Sequence, residues 1–494
     1  MKRRDFLKGC GAATAAASLP QLFARVASAA PGERPNILWL DAEDYCPEMG
    51  CYGTPAVQTP NLDRLAAQGA RFTRAYCSGP VCSASRSAIM TGMYQTSIGA
   101  HHHRSDRGEP LPEGVRFITD YLREAGYFCV NGNANNPKRR GKLDFNFKMN
   151  HKQGYDGTDW RQRKDGQPFF AQMHFSETHR TFHADPERPV DPDEVEIPPY
   201  YPDHPITRLD WALYLETVQH LDRKVGRVLD RLKEDGLAEN TVVFFTGDHG
   251  RAMVRGKQWL YEGGVHVPLL IRWPGQIEPG TVRDDLINFI DLAPTWLNIA
   301  GVDAPDHFQG RDILDSSGGD RKYLFAARDR CDETDDRIRM VMSQRYKYIR
   351  NFYPMRPYTQ FNAYKKRQYP VLTLLQILHE KGELEPAQEH FMAPHRPVEE
   401  LYDLKNDPHE VNNLAQDEDH RELVKDMRHR LDRWIYETGD QGQVPEPPED
   451  RLKNDRHSEN RWKNYAKKFD FDPLEEPEKY LEWWRQRLHQ MKKA

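Results

Sequence analysis

Short apolar runs bounded by polar residues recur along the first two thirds of the chain, and they predict the buried strands of a central sheet. These runs lie at residues 35–40, 127–130, 169–175, 241–246 and 265–272. Runs of this length are typical of strands that are covered on both faces. The segments 115–125 and 210–237 instead carry apolar residues at helical spacing. We interpret this pattern as an α/β fold in which helices flank the sheet.

A smaller unit is predicted after a Ser/Gly/Asp cluster at 316–320, which is typical of a connecting loop. Four short strand candidates follow, at 323–327, 338–343, 346–351 and 400–404, and then a helical segment at 422–438. An insertion at 352–398, rich in Tyr, Lys and His, either walls a substrate cleft or is an exposed elaboration. We therefore divide the chain into a signal segment (1–30), a larger N-terminal domain (31–318), a C-terminal α+β subdomain (319–445) and a charged extension (446–494).

The charge balance argues against a nucleic-acid partner. The chain has 70 Lys and Arg residues against 75 Asp and Glu residues. It therefore has no excess of basic residues that would favour binding to the phosphates of a nucleic acid. Beyond the N-terminal segment, no apolar run reaches the roughly 18 residues that mark a membrane span. The composition therefore predicts neither nucleic-acid binding nor a membrane span.

The N-terminus predicts export. Arg3 and Arg4 precede an alanine-rich segment that ends in Ala-Ser-Ala at 27–29, which resembles a twin-arginine signal with a small-residue cleavage site. Cys10 would suit a lipid anchor, but Lys8 is an unusual residue two places before a lipidated cysteine. We expect the twin-arginine export machinery to be a partner and the protein to be periplasmic or secreted.

Residues 80–92 carry the most informative chemistry. A Gly-Pro breaker stands before them, and the serines that follow predict a helix start with serine caps. Cys82 would then stand at a helix N-terminus, where free N–H groups and the helix dipole favour negative charge. Arg86, four residues on, falls on the same helix face. A reactive group beside a guanidinium in this position suits an oxyanion substrate.

Polar residues directly follow two of the predicted strands. Glu43 and Asp44 follow the first strand, and Asp248 and His249 follow the strand at 241–246. Open α/β sheets bind their ligands outside the carboxyl ends of the strands. An acidic loop remains the default interpretation of any single such cluster, so on placement alone these residues are candidates for a ligand site.

The order of these motifs resembles that of the type I sulfatases. Residues 82–86, Cys-Ser-Ala-Ser-Arg, followed by a small-residue helix and Thr-Gly, are similar to the family signature. In that family a maturation enzyme oxidises the cysteine to formylglycine (3-oxoalanine). Segments 255–261 and 265–275 also match, and the resemblance covers roughly residues 35–415. It implies an alkaline-phosphatase-like α/β fold with a mixed, mostly parallel sheet, followed by a four-stranded antiparallel sheet with one helix.

The resemblance also implies a calcium site and a set of sulfate contacts. The metal ligands would be Glu43, Asp44, Asp248, His249 and the modified residue at Cys82. Glu stands where Asp is commoner at position 43, but its carboxylate still suits a hard cation, while a histidine nitrogen is a less favoured ligand. The catalytic residues would be Cys82, Arg86, Lys142, His179 and Lys257. The basic residues would neutralise the sulfate, and His179 would protonate the leaving group.

Three of these assignments leave alternatives open. Lys142 belongs to a Lys-x-Asp segment that resembles related carbohydrate sulfatases, but Asp144 stands where many have His, and Lys138 is a rival. His183 is the rival of His179. Ala84 stands where the family signature commonly has Pro, which leaves the identity of the maturation enzyme open.

A run of three histidines precedes Arg104, namely His101, His102 and His103. Histidine-rich tracts are typical of metal sites, but adjacent side chains point in different directions and do not suit one ion. We interpret 101–104 as a substrate-binding loop, with one or two members touching the substrate.

The remaining cysteines indicate neither a disulfide framework nor a zinc site. Apart from Cys10 and Cys82, five are left, an odd number: Cys46, Cys51, Cys77, Cys129 and Cys331. Their spacing matches no zinc signature, although an oxidising compartment would allow one bridge.

Together the motifs predict a sulfatase that acts on O- or N-sulfate groups of a sulfated polysaccharide or glycosaminoglycan fragment. The resemblance is strongest to bacterial polysaccharide sulfatases and heparan N-sulfatase-like proteins. The first alternative is a phosphonate or phosphodiester hydrolase of the same superfamily. The second is a non-catalytic glycan-binding protein with an unmodified Cys82.

Overall fold

An eight-stranded mixed sheet forms the centre of the larger part of the protein. The computed structural model describes residues 34–105, 108–315, 317 and 319–493. The strands of this part are β1 (Asn36–Ala42), β2 (Ala70–Phe72), β3 (Ala75–Tyr76), β4 (Phe128–Asn133), β5 (Asn136–Arg140), β6 (Phe169–Phe175), β7 (Thr241–Gly247), β8 (Leu269–Arg272), β9 (Thr281–Arg283) and β10 (Ile287–Asn288). Their order across the sheet is β5-β4-β6-β1-β7-β8-β2-β9, while β3 pairs with β10. Because β4, β6, β1 and β7 run parallel, the predicted α/β sheet is confirmed.

Helices flank this sheet. They are α1 (Pro60–Ala67), α2 (Cys82–Thr91), α3 (Ile118–Glu124), α4 (His151–Gly154), α5 (Pro205–Glu234), α6 (Glu262–Val265) and α7 (Leu292–Ile299). The long helix α5 begins five residues earlier than the predicted start at 210. His204 accounts for this difference, because its side chain caps the helix by accepting the Ile206 N–H and Pro205 occupies the first turn.

Three central strands share one aromatic contact. Every residue of β1, β6 and β7 is buried, as their continuous apolar runs predict. Trp296 of α7 packs on one ring from each strand, with centroids 5.0 Å from Trp39, 5.0 Å from Phe170 and 6.0 Å from Phe244. The indole therefore fixes the three strands that lead into the polar residues described below.

The register of these strands brings their carboxyl ends to one edge. Asp41 pairs with both His174 and Thr246, so the segments after β1, β6 and β7 leave the sheet at the same level. Backbone hydrogen bonds then join these segments. The Glu43 N–H donates to the Glu177 carbonyl (3.2 Å), and the Asp248 N–H donates to the carbonyl of Ala42, the last residue of β1 (2.9 Å).

The smaller C-terminal sheet is antiparallel and follows chain order. Its strands are β11 (Leu324–Arg328), β12 (Ile338–Met342), β13 (Tyr346–Asn351) and β14 (Glu399–Asp403). Helix α11 (Arg421–Glu437) packs on it through Val424, Met427, Leu431 and Trp434. Trp434 also meets Tyr94 of the larger part at 5.0 Å. The predicted four strands and helix are confirmed.

The insertion and the charged extension are folded as helices. The insertion contains α8 (Ala363–Gln368), α9 (Pro370–Lys381) and α10 (Pro386–Glu389), and the extension contains α12 (Pro448–Ala466) and α13 (Pro477–Lys493). Helix α8 packs on α12, whereas α9 packs on both α13 and α5. Since most of α9 is buried, the insertion is not an exposed elaboration.

Some predictions concern residues outside this description. The proposed signal 1–30 and Cys10 lie outside the described residues, as do residues 316 and 318 at the expected domain boundary, so the division into domains stays a prediction. The six described cysteines are free thiols, so they form no bridge with one another. Among the described helices, none combines the length and apolarity that crossing a membrane requires.

Candidate active site at the strand ends

Helix α2 presents Cys82 at its N-terminus, as predicted. All residues of this helix are buried. The expected serine caps are wrong, because Val81 occupies the N-cap position and makes no side-chain cap bond. Ser85 instead donates to the Asp248 backbone carbonyl, so this serine ties the helix to the segment after β7.

Three residues surround the Cys82 sulfur and form a four-residue cluster with it. The Sγ of Cys82 lies 3.1 Å from His249 Nε2 and 3.8 Å from Asp44 Oδ1. His249 Nε2 in turn lies 3.1 Å from Asp44 Oδ1 and 3.7 Å from Asp248 Oδ1. Each residue offers one donor atom, and these four atoms lie within 4.8 Å of one another. The structure therefore brings together four of the five residues predicted to bind metal.

The cluster is fully buried, and its charges compensate one another. Burial opposes ionisation of Asp44, but Lys257, His179 and His249 hold its pKa well below the ordinary value. Burial also opposes protonation of His249, yet Asp248, as the largest opposing contribution, helps raise its pKa to about 10. Asp44 moreover has a left-handed backbone with φ of 48°, a conformation that non-glycine residues adopt at a cost.

Glu43 occupies a neighbouring position. One of its carboxylate oxygens lies close to potential ligand atoms of Asp44 and His179, and it is not part of the cluster around Cys82. One oxygen bonds to the ring of His174, and the other lies 3.0 Å from Lys142 Nζ. Burial opposes ionisation, but these two partners bring the pKa of Glu43 well below its ordinary value.

Two lysines border the buried carboxylates. Lys257 Nζ lies 2.9 Å from Asp44 Oδ2 and 3.6 Å from Cys82 Sγ. Lys142, besides its contact with Glu43, lies 3.3 Å from an Asp144 oxygen. The rival Lys138 lies on β5, where every residue is exposed.

Arg86 is held by two buried carboxylates. Its guanidinium donates to Asp41 Oδ2 and, through Nε at 3.1 Å, to Asp248 Oδ2. All three side chains are without solvent exposure. Gln172 of β6 donates to the same Asp41 oxygen at 2.8 Å. Arg86 thus joins helix α2 to β1 and to the segment after β7, and its contact with sulfate stays a prediction.

His179 faces the cluster from the loop after β6. Its Nε2 lies 4.0 Å from Asp44 Oδ2, and its side chain is 28% exposed. Burial lowers its pKa. The ring of Tyr364, from α8, lies 5.8 Å from the His179 ring and 5.4 Å from Lys257 Nζ. The rival His183 is exposed, so the structure favours His179.

The histidine loop divides into two halves. Ser83 Oγ lies 3.1 Å from His103 Nδ1 and accepts the Arg104 backbone N–H at 3.0 Å. The Arg104 side chain bonds to Asp144 at 2.8 Å. His101 and His102 are both buried, and their rings pack against each other with centroids 4.3 Å apart. The structure therefore places His103 and Arg104 beside Ser83, the neighbour of Cys82, and a substrate contact of the loop stays a prediction.

The donor set suits a hard cation. Carboxylate oxygens of Asp44 and Asp248 are the ligands that calcium prefers, and His249 adds a nitrogen. Electrostatics holds both carboxylates ionised, with the pKa of each below its ordinary value although burial opposes this. A cation at this place would lie next to the positive charges of Lys257 and Arg86. An anionic substrate would therefore help to balance the positive charge of the site.

Several site residues were missed by the sequence analysis. Asp41, Gln172 and His174 are polar residues inside otherwise apolar strands, and that interruption was a usable signal, because buried polar groups need partners. Tyr364 comes from the insertion, and Asp332, 3.9 Å from His103 Nε2, follows β11. Nothing in the local sequence marks these last two positions.

Comparison with known proteins gives matches over most of the chain. Residues 35–302 match the sulfatase family model, and residues 247–371 match that of the N-sulphoglucosamine sulphohydrolase C-terminal region. Residues 1–20 match the twin-arginine translocation pathway signal sequence, which indicates export by that route.

Individual proteins agree with this match. An ulvan-active sulfatase of Formosa agariphila is 35% identical over 84% of this chain and 77% of its own length. Human N-sulphoglucosamine sulphohydrolase is 27% identical over 82% of this chain and 90% of its own. The crystal structure of a phosphonate monoester hydrolase of Agrobacterium radiobacter shares the fold, with a TM-score of 0.61, 19% identity, and coverage of 83% of this chain and 97% of that one.

Replacing Arg86 with Ala should destabilise the protein strongly. Asp41 and Asp248 would lose a buried partner, and breaking such a pair costs about 3–5 kcal/mol. The free energy of unfolding from urea titration measures the loss. Arg116→Ala, which removes an exposed pair with Glu124, is the control and should cost far less. Equal losses in the two variants would contradict the structural role of Arg86.

Proposed function

The chain belongs to the sulfatase family, and we propose that it hydrolyses sulfate ester or N-sulfate groups on a polysaccharide or glycosaminoglycan fragment. One observation carries the proposal. Cys82 stands at the N-terminus of a buried helix, with Asp44, His249 and Lys257 within 3.1–3.8 Å of its sulfur. The relatives named above act on ulvan and on N-sulphoglucosamine, which supports a sulfated carbohydrate.

We further propose that Cys82 is oxidised to formylglycine by a maturation enzyme. This group would supply a hydrated aldehyde, and thus a hydroxyl nucleophile for a sulfate group, at residue 82. The position of residue 82 supports the assignment, because the helix N-terminus and Lys257 both favour negative charge there. Ala84, the departure from the commoner signature, packs with Val81 and Cys331. The twin-arginine route carries folded proteins, so modification before export to the periplasm or beyond fits the signal at residues 1–20.

Calcium is the proposed metal, held by Asp44, Asp248, His249 and residue 82, with Glu43 beside them. When bound, such an ion supplies charge neutralisation and favours deprotonation of nearby hydroxyl groups. The buried, ionised carboxylates support a divalent cation, and their oxygens favour a hard one.

The remaining residues would orient and neutralise the substrate. Lys257 and Lys142 place ammonium groups beside the cluster, and preorganised charges of this kind are worth most in a site that excludes water. His179 is partly buried, but at 28% its side chain is more exposed than those of Lys142 and Lys257, so it can reach the leaving oxygen or nitrogen. Burial lowers its pKa, and a bound sulfate anion would favour its protonated form.

The central experiment measures sulfate release from ulvan and heparan sulfate oligosaccharides by ion chromatography. We expect release by the mature protein and a loss of at least about 10³-fold in Cys82→Ala, as for removal of other catalytic nucleophiles. Bis(4-nitrophenyl) phosphate and 4-nitrophenyl sulfate are assayed in parallel. Preference for the phosphodiester would support the phosphonate or phosphodiester hydrolase instead. Binding of the oligosaccharides without release would support a glycan-binding protein.

Replacing His179 with Ala should lower kcat/KM by about 10²–10⁴-fold, the usual effect of removing a general acid. The loss should be larger for an alkyl sulfate than for 4-nitrophenyl sulfate, because the nitrophenolate leaves without protonation. His183→Ala is the matched control and should stay near the parent rate. A larger loss in His183→Ala, or no dependence on the leaving group, would contradict the role of His179.

A further inference from the structure

A cavity lies beside the candidate active site. It has a volume of about 290 Å³ and is walled by the insertion on one side and the C-terminal extension on another. Its lining includes Arg104, Asp332, Tyr364, Lys453, His457 and Arg461. Its volume is near the lower limit of ordinary ligand pockets, roughly 300 Å³.

Two lining residues connect this cavity to the reacting group. Arg104 bonds through its backbone to Ser83, next to Cys82. The ring centroid of Tyr364 lies 5.4 Å from Lys257 Nζ and 5.8 Å from the centroid of the His179 ring. A carbohydrate whose sulfate lies at Cys82 and whose chain runs toward Arg104 and Tyr364 would enter this cavity.

The wall formed by α12 is anchored to the C-terminal subdomain at three places. Glu446, just before the helix, bonds to Arg330 at 2.8 Å, and Arg451 lies 3.0 Å from an Asp335 oxygen. Further along, the ring of Trp462 meets Phe361 edge-to-face at 5.7 Å. These contacts fix the orientation of the helix relative to the cavity.

One face of α12 presents basic side chains to the cavity. Residues 453, 457 and 461 are spaced by four, and therefore lie on the same side of the helix. Arg461 is exposed, and its charge acts together with burial to lower the pKa of Arg367. In the part of the chain that the structure describes, no carboxylate lies within ion-pair distance of Arg461.

Both acidic side chains that line the cavity accept at least one hydrogen bond from a neighbouring residue. Asp332 accepts from Gln258 at 3.4 Å and from Asn362 at 3.3 Å. Glu333 accepts the Ala363 backbone N–H. The guanidinium of Arg461 is thus available for an external anion, since planar guanidinium groups favour carboxylate and sulfate oxygens.

We propose that the C-terminal extension forms a second anion subsite, in which Arg461 binds a carboxylate or sulfate on the sugar next to the one that loses its sulfate. This inference rests on the proposed function. It makes the substrate an oligosaccharide with at least two anionic groups, and it gives the extension a role in selecting that substrate.

The test uses the full-length protein with Arg461→Gln. We expect the ratio of kcat/KM for ulvan or heparan sulfate tetrasaccharides to that for 4-nitrophenyl sulfate to fall by about 10- to 100-fold, mainly through KM, as expected for one lost hydrogen-bonded ion pair. Arg456→Gln is the matched control, because Arg456 lies about 140° away around the same exposed helix. Its ratio should equal that of the parent, and an unchanged ratio in Arg461→Gln would overturn the subsite.

Binding measurements separate this inference from the proposed function. Calorimetry with the same tetrasaccharides on Cys82→Ala, with and without Arg461→Gln, reports the subsite without any turnover. A weaker Kd in the double variant supports the subsite even if no sulfate is released, and equal Kd values or no binding overturn it. Carboxyl-reduced tetrasaccharides distinguish the two sources of the anion. If reduction removes the effect of Arg461→Gln, the group is a carboxylate, and if the effect persists, it is a sulfate.

Discussion

The ion pairs that join Arg86 to Asp41 and Asp248 support the rest of the site. They connect helix α2 to the end of β1 and to the loop after β7, and all three side chains are shielded from solvent. Buried charges are tolerated only when each has a partner. Because the pairing is complete only when the helix is seated on the sheet, it fixes Cys82 beside Asp44 and His249. The same guanidinium that a sequence motif assigns to the substrate is therefore also a structural element.

The buried carboxylates and the walls of the neighbouring cavity come from different parts of the fold. The ends of parallel strands supply the buried carboxylates, and their common register brings residues from distant parts of the chain to one edge. The insertion and the C-terminal extension supply the walls, with Tyr364 over Lys257 and the α12 face beyond it. The buried cluster therefore lies in the part of the chain that matches the sulfatase family model, whereas the role of the insertion and the extension in selecting a substrate is our proposal.

Sequence reasoning was most successful where a strand or helix has a continuous pattern. The runs that became β1, β6 and β7 were found because both faces are covered, and the polar residues after them were placed correctly at the sheet edge. It failed where position depends on long-range packing. The serine caps were wrong because Ser85 turns to the Asp248 carbonyl instead. Tyr364 could not be found, since the packing of α8 against α9 and α12 brings it to His179.

The most direct test of this account is mass spectrometry of the peptide that contains residue 82, from protein purified from its native host. The account predicts the mass of formylglycine in place of cysteine in the active fraction, and reaction of that peptide with an aldehyde reagent. An unmodified Cys82 thiol in fully active protein would contradict the proposed nucleophile and the mechanism built on it.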